Sequence, residues 1–162
     1  MIEGKVWKYG DNINTDIISP PAYLELSIEE AAKYTMKPID EAFASEYKEG
    51  DIFVAGHNLG SGSSRETAPL MLKALGVRTI VARDYARIFY RNCINIGILA
   101  IECDEADKIG KDDIIRIDYT NGVIYNLSKS EKYSCLKIPS HILSIIEYGG
   151  LINYLKEVEL KR

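Results

Sequence analysis

The sequence predicts an α/β fold, and three observations carry that expectation. From Asp51 to Glu102 short apolar runs alternate with amphipathic, helix-length segments, an order that calls for parallel strands joined by right-handed helical crossovers. A chain of 162 residues is long enough for one domain with a substantial core and too short for two ordinary ones. No repeat or low-complexity linker interrupts it, so residues 1–162 are read as a single domain.

The elements follow in order. Gly4 to Tyr9 reads as a strand and Asp11 to Asp16 as a polar loop. Ser19-Pro20-Pro21 makes an extended corner, because a proline disfavours helix in the residue before it. Ser27 opens a helix to about Met36, with Glu30 at capping-box distance. Between corner and helix lies Tyr23-Leu24-Glu25-Leu26, a short loop that could act as a lid. Asp51 to Ala55 is a short buried strand, and Glu66 to Leu75 a helix stopped by Gly76. A strand over Thr79–Ala82, a helix from Asp84 to about Cys93 and a strand over Ile98–Glu102 complete the alternation. Asp113 to Tyr119 and Val123 to Leu127 flank Asn121-Gly122, a hairpin signal. A helix from about Pro139 to Tyr148 ends at Gly149-Gly150, and a shorter one runs to Val158.

Composition narrows the functional classes. Hydrophobic residues make up 46% and charged residues 27%, which is ordinary for a soluble protein, and no apolar run reaches membrane-spanning length. Net charge is −4 with the basic residues scattered, an argument against a nucleic-acid surface and for a small-molecule partner. Met1 to Lys5 lacks the pattern of a secretory signal, so a cytoplasmic location is expected. Cys93, Cys103 and Cys135 lie far apart with only His57 and His141 to help them. They are expected to be reduced, mostly buried thiols, with no metal site in this chain.

The chemistry concentrates in Gly60-Ser61-Gly62-Ser63-Ser64-Arg65-Glu66, between a strand and a helix start. Helix N-termini leave backbone donors without partners and carry partial positive charge. An organic acid can rest there, with Arg65 forking onto a carboxylate. Ser63 and Glu66 also fit a capping box, a purely structural reading. A cap, however, needs neither the Gly60-x-Gly62 spacing, which lets a ligand approach the backbone, nor an arginine after two serines. The Gly-Lys-Ser/Thr ending of a phosphate loop and the third glycine of a dinucleotide fingerprint are both missing.

That stretch, together with Gly10-Asp11-Asn12-Ile13-Asn14-Thr15-Asp16, Ala86 to Gly97 and Glu147 to Leu151, closely resembles the 3-isopropylmalate dehydratase small subunits of the aconitase superfamily. The resemblance spans nearly the whole chain. It implies the swivelling β/β/α domain and a hydro-lyase in leucine biosynthesis, isomerising 2- and 3-isopropylmalate by dehydration and rehydration. It also implies a large subunit, in a heterodimer or heterotetramer, that carries the four-iron four-sulfur cluster. Small subunits of homoaconitase and 2,3-dimethylmalate dehydratase look similar, and a stand-alone carboxylate-binding module is the non-enzymatic alternative.

By the same resemblance Ser63 is the base that moves the proton, and Arg65 holds the substrate carboxylate. A serine hydroxyl is a poor base, and could serve only with its alkoxide stabilised by backbone amides, the helix terminus and Arg65. Ser64 is expected to position substrate or loop. Asp16 could orient the serine loop or an arginine. Arg87 and Arg91, four apart on a helix, share a face, which suggests an anion or acidic partner; pairing with acids such as Asp84 or with the large subunit is the structural alternative. His57 reads as a structural histidine. The resemblance places substrate choice in Tyr23-Leu24-Glu25-Leu26, where isopropylmalate enzymes usually carry an apolar third residue and homoaconitases an arginine. Glu25 matches neither.

Overall fold

The structure is a computed structural model and describes residues 1–161. One seven-stranded sheet, in the order β4-β3-β2-β1-β5-β6-β7, organises the chain. Strand β1 (Ile2–Lys8) belongs to both halves of it. Its Val6–Lys8 end pairs parallel with β2 (Ile52–Ala55), which pairs parallel with β3 (Thr79–Ala82), and that with β4 (Leu99–Glu102). Its Ile2–Lys5 end pairs antiparallel with β5 (Ile114–Asp118), followed by β6 (Val123–Asn126) and β7 (Glu131–Ser134).

Strands β2 and β3 are buried along their whole length, which explains why they read as unbroken apolar runs. Phe53, Ala55, Ile80 and Ala82 face one core with Trp7, Phe43 and Phe89. Ile52, Val54 and Val81 face another with Ile101, Ile115 and Ile124. Helices α4 (Thr67–Ala74) and α5 (Arg87–Asn95) connect the parallel strands. Helices α6 (Ser140–Glu147) and α7 (Leu151–Leu160) end the chain.

Several local expectations need correction. The polar loop contains a helical turn, α1 (Thr15–Ile18), capped by Asn14, whose side-chain oxygen accepts from the Ile17 N–H. The helix opened by Ser27 is brief, α2 (Ile28–Ala31) with a 3₁₀ turn over Ala32–Tyr34. It does not reach Met36, whose backbone turns to φ +66° so that its side chain can enter the core. A short α3 (Phe43–Glu46) and the edge strand β7 were not foreseen. Helix α5 begins three residues later than expected, at Arg87. The hairpin around Asn121-Gly122 forms, its connection one residue longer than expected because β5 ends at Asp118, whose side chain accepts from Asn121. The final helix is longer than α6, not shorter.

Candidate active site

The serine loop leaves the carboxyl end of β2, and α5 begins beyond the carboxyl end of β3, so both face the same sheet edge, where ligands of parallel sheets bind. A cleft of about 190 Å³ opens between them, lined by Thr15, Gly60, Gly62, Ser63, Ser64 and Arg65 from one side and Ala86, Arg87, Ile88, Phe89 and Asn92 from the other. The structure thus brings together Ser63, Ser64, Arg65, both loop glycines and Arg87.

Two backbone facts shape the loop. Gly60 N–H donates to Ile13 O, and Ser61 O accepts from the Thr15 N–H, which fastens the loop to α1. Among the described residues, no acceptor takes the backbone N–H groups of Ser61, Gly62, Ser63 or Ser64, and the Ser63 and Ser64 hydroxyls are also unpaired. Ser63 is not a helix cap. Helix α4 starts at Thr67 with Glu66 as its N-cap residue and no side-chain capping bond, so the Ser63–Glu66 capping box does not form. The exposed hydroxyl and a run of unpaired donors remain free for an anionic ligand.

Gly60, which lines the cleft, also has a packing role. At φ +83°, a Cβ there would sit 2.0 Å from Phe89 Cγ, so glycine lets α5 close onto the loop. Gly62, at φ +96°, passes over Thr15, whose Oγ1 would be 3.4 Å from a Cβ.

Arg65 is held by α1. Its Nη1 lies 2.8 Å from Asp16 Oδ1 and 3.4 Å from Ser19 O, with the Arg65 side chain 26% exposed and that of Asp16 56%. The pair is too solvated to contribute more than about 1 kcal/mol to stability. Its effect is to aim a guanidinium that can still present its remaining N–H groups to an acid.

The Tyr23–Leu26 segment lies outside the cleft lining. Tyr23 stacks on Tyr34 with ring centroids 3.8 Å apart, and its hydroxyl accepts from Lys37. Leu24, Glu25 and Leu26 are exposed. The segment starts four residues after Ser19, which Arg65 touches, so the two are linked through the Pro20-Pro21 corner. Arg91 is also exposed and outside the lining. Among the described residues neither Arg87 nor Arg91 forms an ion pair. Asp84 serves His57 instead: the two side chains are 2.8 Å apart, and the other Asp84 oxygen accepts from the Asn58 N–H. The His57 hydrogen bond is the leading cause that holds the Asp84 carboxyl below its usual range. Sequence reasoning did not nominate Thr15 or Asn92 as site residues.

The three thiols do not meet at one point: Cys103 and Cys135 share one core, while Cys93 packs in the Phe53-side core across the sheet, and burial raises the pKa of all three. Among the described residues no group of three or more His, Cys, Asp or Glu side chains could hold a metal ion. This donor set does not fit an iron–sulfur cluster.

Comparison with known proteins agrees with this geometry. The Aconitase C-terminal domain family matches residues 14–106. The 3-isopropylmalate dehydratase small subunit of Nautilia profundicola is 48% identical over 159 residues, covering 98% of this chain and 96% of the relative. Small subunit 1 of Thermotoga maritima is 48% identical over 159 residues, covering 97% and 96%. The crystal structure of 3-isopropylmalate dehydratase from Methanocaldococcus jannaschii superposes with a TM-score of 0.92 at 41% identity, covering 98% of this chain and 95% of that one. With this overlap along the whole fold and across the serine loop, the chain belongs to the family of 3-isopropylmalate dehydratase small subunits, in the aconitase superfamily.

Proposed function

We propose that this chain is the small subunit of a 3-isopropylmalate dehydratase, a hydro-lyase that works as one swivelling domain over a large subunit. The observation that carries the reading is the serine loop with Arg65 fixed on Asp16 at the carboxyl end of β2. Arg65 holds one carboxylate of a 2-hydroxy dicarboxylic acid, and the unpaired loop N–H groups take charge that develops beside it. Ser63 removes and returns the proton. Its hydroxyl meets the solvent-facing cleft with no competing hydrogen bond, and the neighbouring donors and guanidinium lower the cost of its alkoxide. Ser64 and Arg87 complete the anion-binding wall. On this reading the four-iron four-sulfur cluster belongs to the large subunit, in keeping with the separation of Cys93 from Cys103 and Cys135 across the sheet.

Among related acids isopropylmalate is favoured by the loop after Pro21. Leu24 and Leu26 are each 39% exposed and offer apolar surface, while Glu25 would repel the extra carboxylate of homoaconitate. Reconstitution with the cognate large subunit, followed by assay of a panel of 2-hydroxy acids, tests the proposal. Turnover of isopropylmalate by the assembly, with none from either subunit alone, is expected. Turnover by the isolated chain, or stoichiometric cluster formation on it, would overturn the division of labour.

A further inference from the structure

Among the described residues the Thr15 hydroxyl is the one buried side-chain oxygen or nitrogen without a hydrogen-bond partner. Thr15 is 2% exposed and lines the cleft. As the first residue of α1 it has no preceding helical carbonyl to bond, the usual outlet for a helical threonine. Both its backbone groups are engaged, the N–H with Ser61 O at 2.9 Å and the carbonyl with the Ser19 N–H at 2.7 Å. A valine would fill the same space without stranding a polar atom. The loop that passes directly over this oxygen has the complementary deficit, donors at Gly62, Ser63 and Ser64 with no acceptor.

We infer that Thr15 is a positioning residue for the serine loop: once an acid occupies the cleft, its Oγ1 accepts a hydrogen bond from a loop N–H and fixes Ser63 over the substrate. This rests on the functional reading above. Gly62 makes the approach possible, because its lack of a side chain leaves the loop backbone free to settle onto the hydroxyl. Because the bond is made to the loop and not to the acid, its energy goes into holding Ser63 in a reactive orientation, and its loss shows in turnover more than in affinity.

The test compares Thr15→Val and Thr15→Ser in the chain assembled with its large subunit. Thr15→Val is expected to keep or raise the melting temperature, lower kcat at least tenfold and leave KM within about threefold. Thr15→Ser, which restores the oxygen, should recover most of kcat. An unchanged kcat, a rise in KM alone, a fall in melting temperature, or no rescue by serine would overturn the inference. Amide hydrogen exchange at residues 62–64, with and without 2-isopropylmalate, gives a readout independent of turnover. Protection present in the wild type and lost in Thr15→Val supports the proposal, while equal protection in both, or none in the wild type, refutes it. Failure of the wild-type assembly to act on any 2-hydroxy acid would instead refute the functional reading.

Discussion

Arg65 Nη1 sits 2.8 Å from Asp16 Oδ1, joining the serine loop to a helical turn that lies about fifty residues away in sequence. The contact decides the direction of the guanidinium. Asp16→Asn removes the charge that fixes it and leaves shape almost unchanged, so KM for the acid should rise about tenfold while the melting temperature moves by only a degree or two. Arg65→Lys should weaken both binding and turnover, because a point charge cannot reproduce a bidentate fork. Steady-state kinetics and thermal melts of the assembled enzyme read both outcomes.

Ser63→Ala should remove most turnover, about a hundredfold to ten-thousandfold, with little effect on KM or folding. The absence of any capping bond to Ser63 makes this a clean experiment, since the helix start does not depend on the hydroxyl. Near-normal turnover in the variant would remove Ser63 from the chemistry.

Gly60→Ala should destabilise the fold by at least about 2 kcal/mol, combining a contact with the Phe89 ring and a left-handed backbone. Adding Phe89→Ala relieves the contact but not the backbone strain. In a double-mutant cycle the second change should therefore recover part of the loss, and strict additivity in denaturant unfolding would contradict the packing account.

How much of this was legible in the sequence depended on how strongly burial marks a segment. Strands β2 and β3 were readable because both of their faces are covered. Strand β7 was not, since Tyr133 is its only buried residue and the rest of Glu131–Ser134 faces solvent. The loop motif named Ser63, Ser64 and Arg65 correctly as neighbours in one cleft, yet spacing suggested a cap that the chain does not make. The packing of Gly60 against Phe89 was not legible, because the two are remote in sequence. Thr15 was hidden for a similar reason. A hydroxyl between Asn14 and Asp16 looks solvated until the fold covers it.

Acid should weaken the antiparallel half of the sheet. Burial tends to raise the Asp113 carboxyl, but hydrogen bonds from Asn126 and the Gly110 N–H, together with Lys129, outweigh it and hold the pKa below its usual range. A carboxylate depressed in the folded state stabilises fully above its unfolded pKa and loses that contribution as pH falls through the folded value. The melting temperature should therefore drop as pH falls below about 4, and Asp113→Asn should flatten that dependence. An unchanged acid limb in the variant would assign the effect to other carboxylates, Asp84 among them.

Glu25 gives the sharpest test of substrate choice. It lies between two exposed leucines on a segment whose start is tied to Arg65 through Ser19. Two like charges about 4 Å apart cost on the order of 1 kcal/mol in water and about 4 kcal/mol at an effective dielectric near 20. On the proposed reading, closure of the site over an acid would move the pair toward the second value, disfavour a third carboxylate by roughly five-fold to several hundred-fold, and leave Leu24 and Leu26 to favour a branched alkyl group. Glu25→Arg replaces the repulsion with an ion pair and should shift the ratio of specificity constants toward homoaconitate by at least tenfold. Leu24→Ser should instead lower kcat/KM for isopropylmalate and leave the homoaconitate value nearly unchanged. Competition assays of the assembled enzyme read both ratios. A wild-type preference for homoaconitate, or an unmoved ratio in Glu25→Arg, would show that residues 23–26 do not select the substrate.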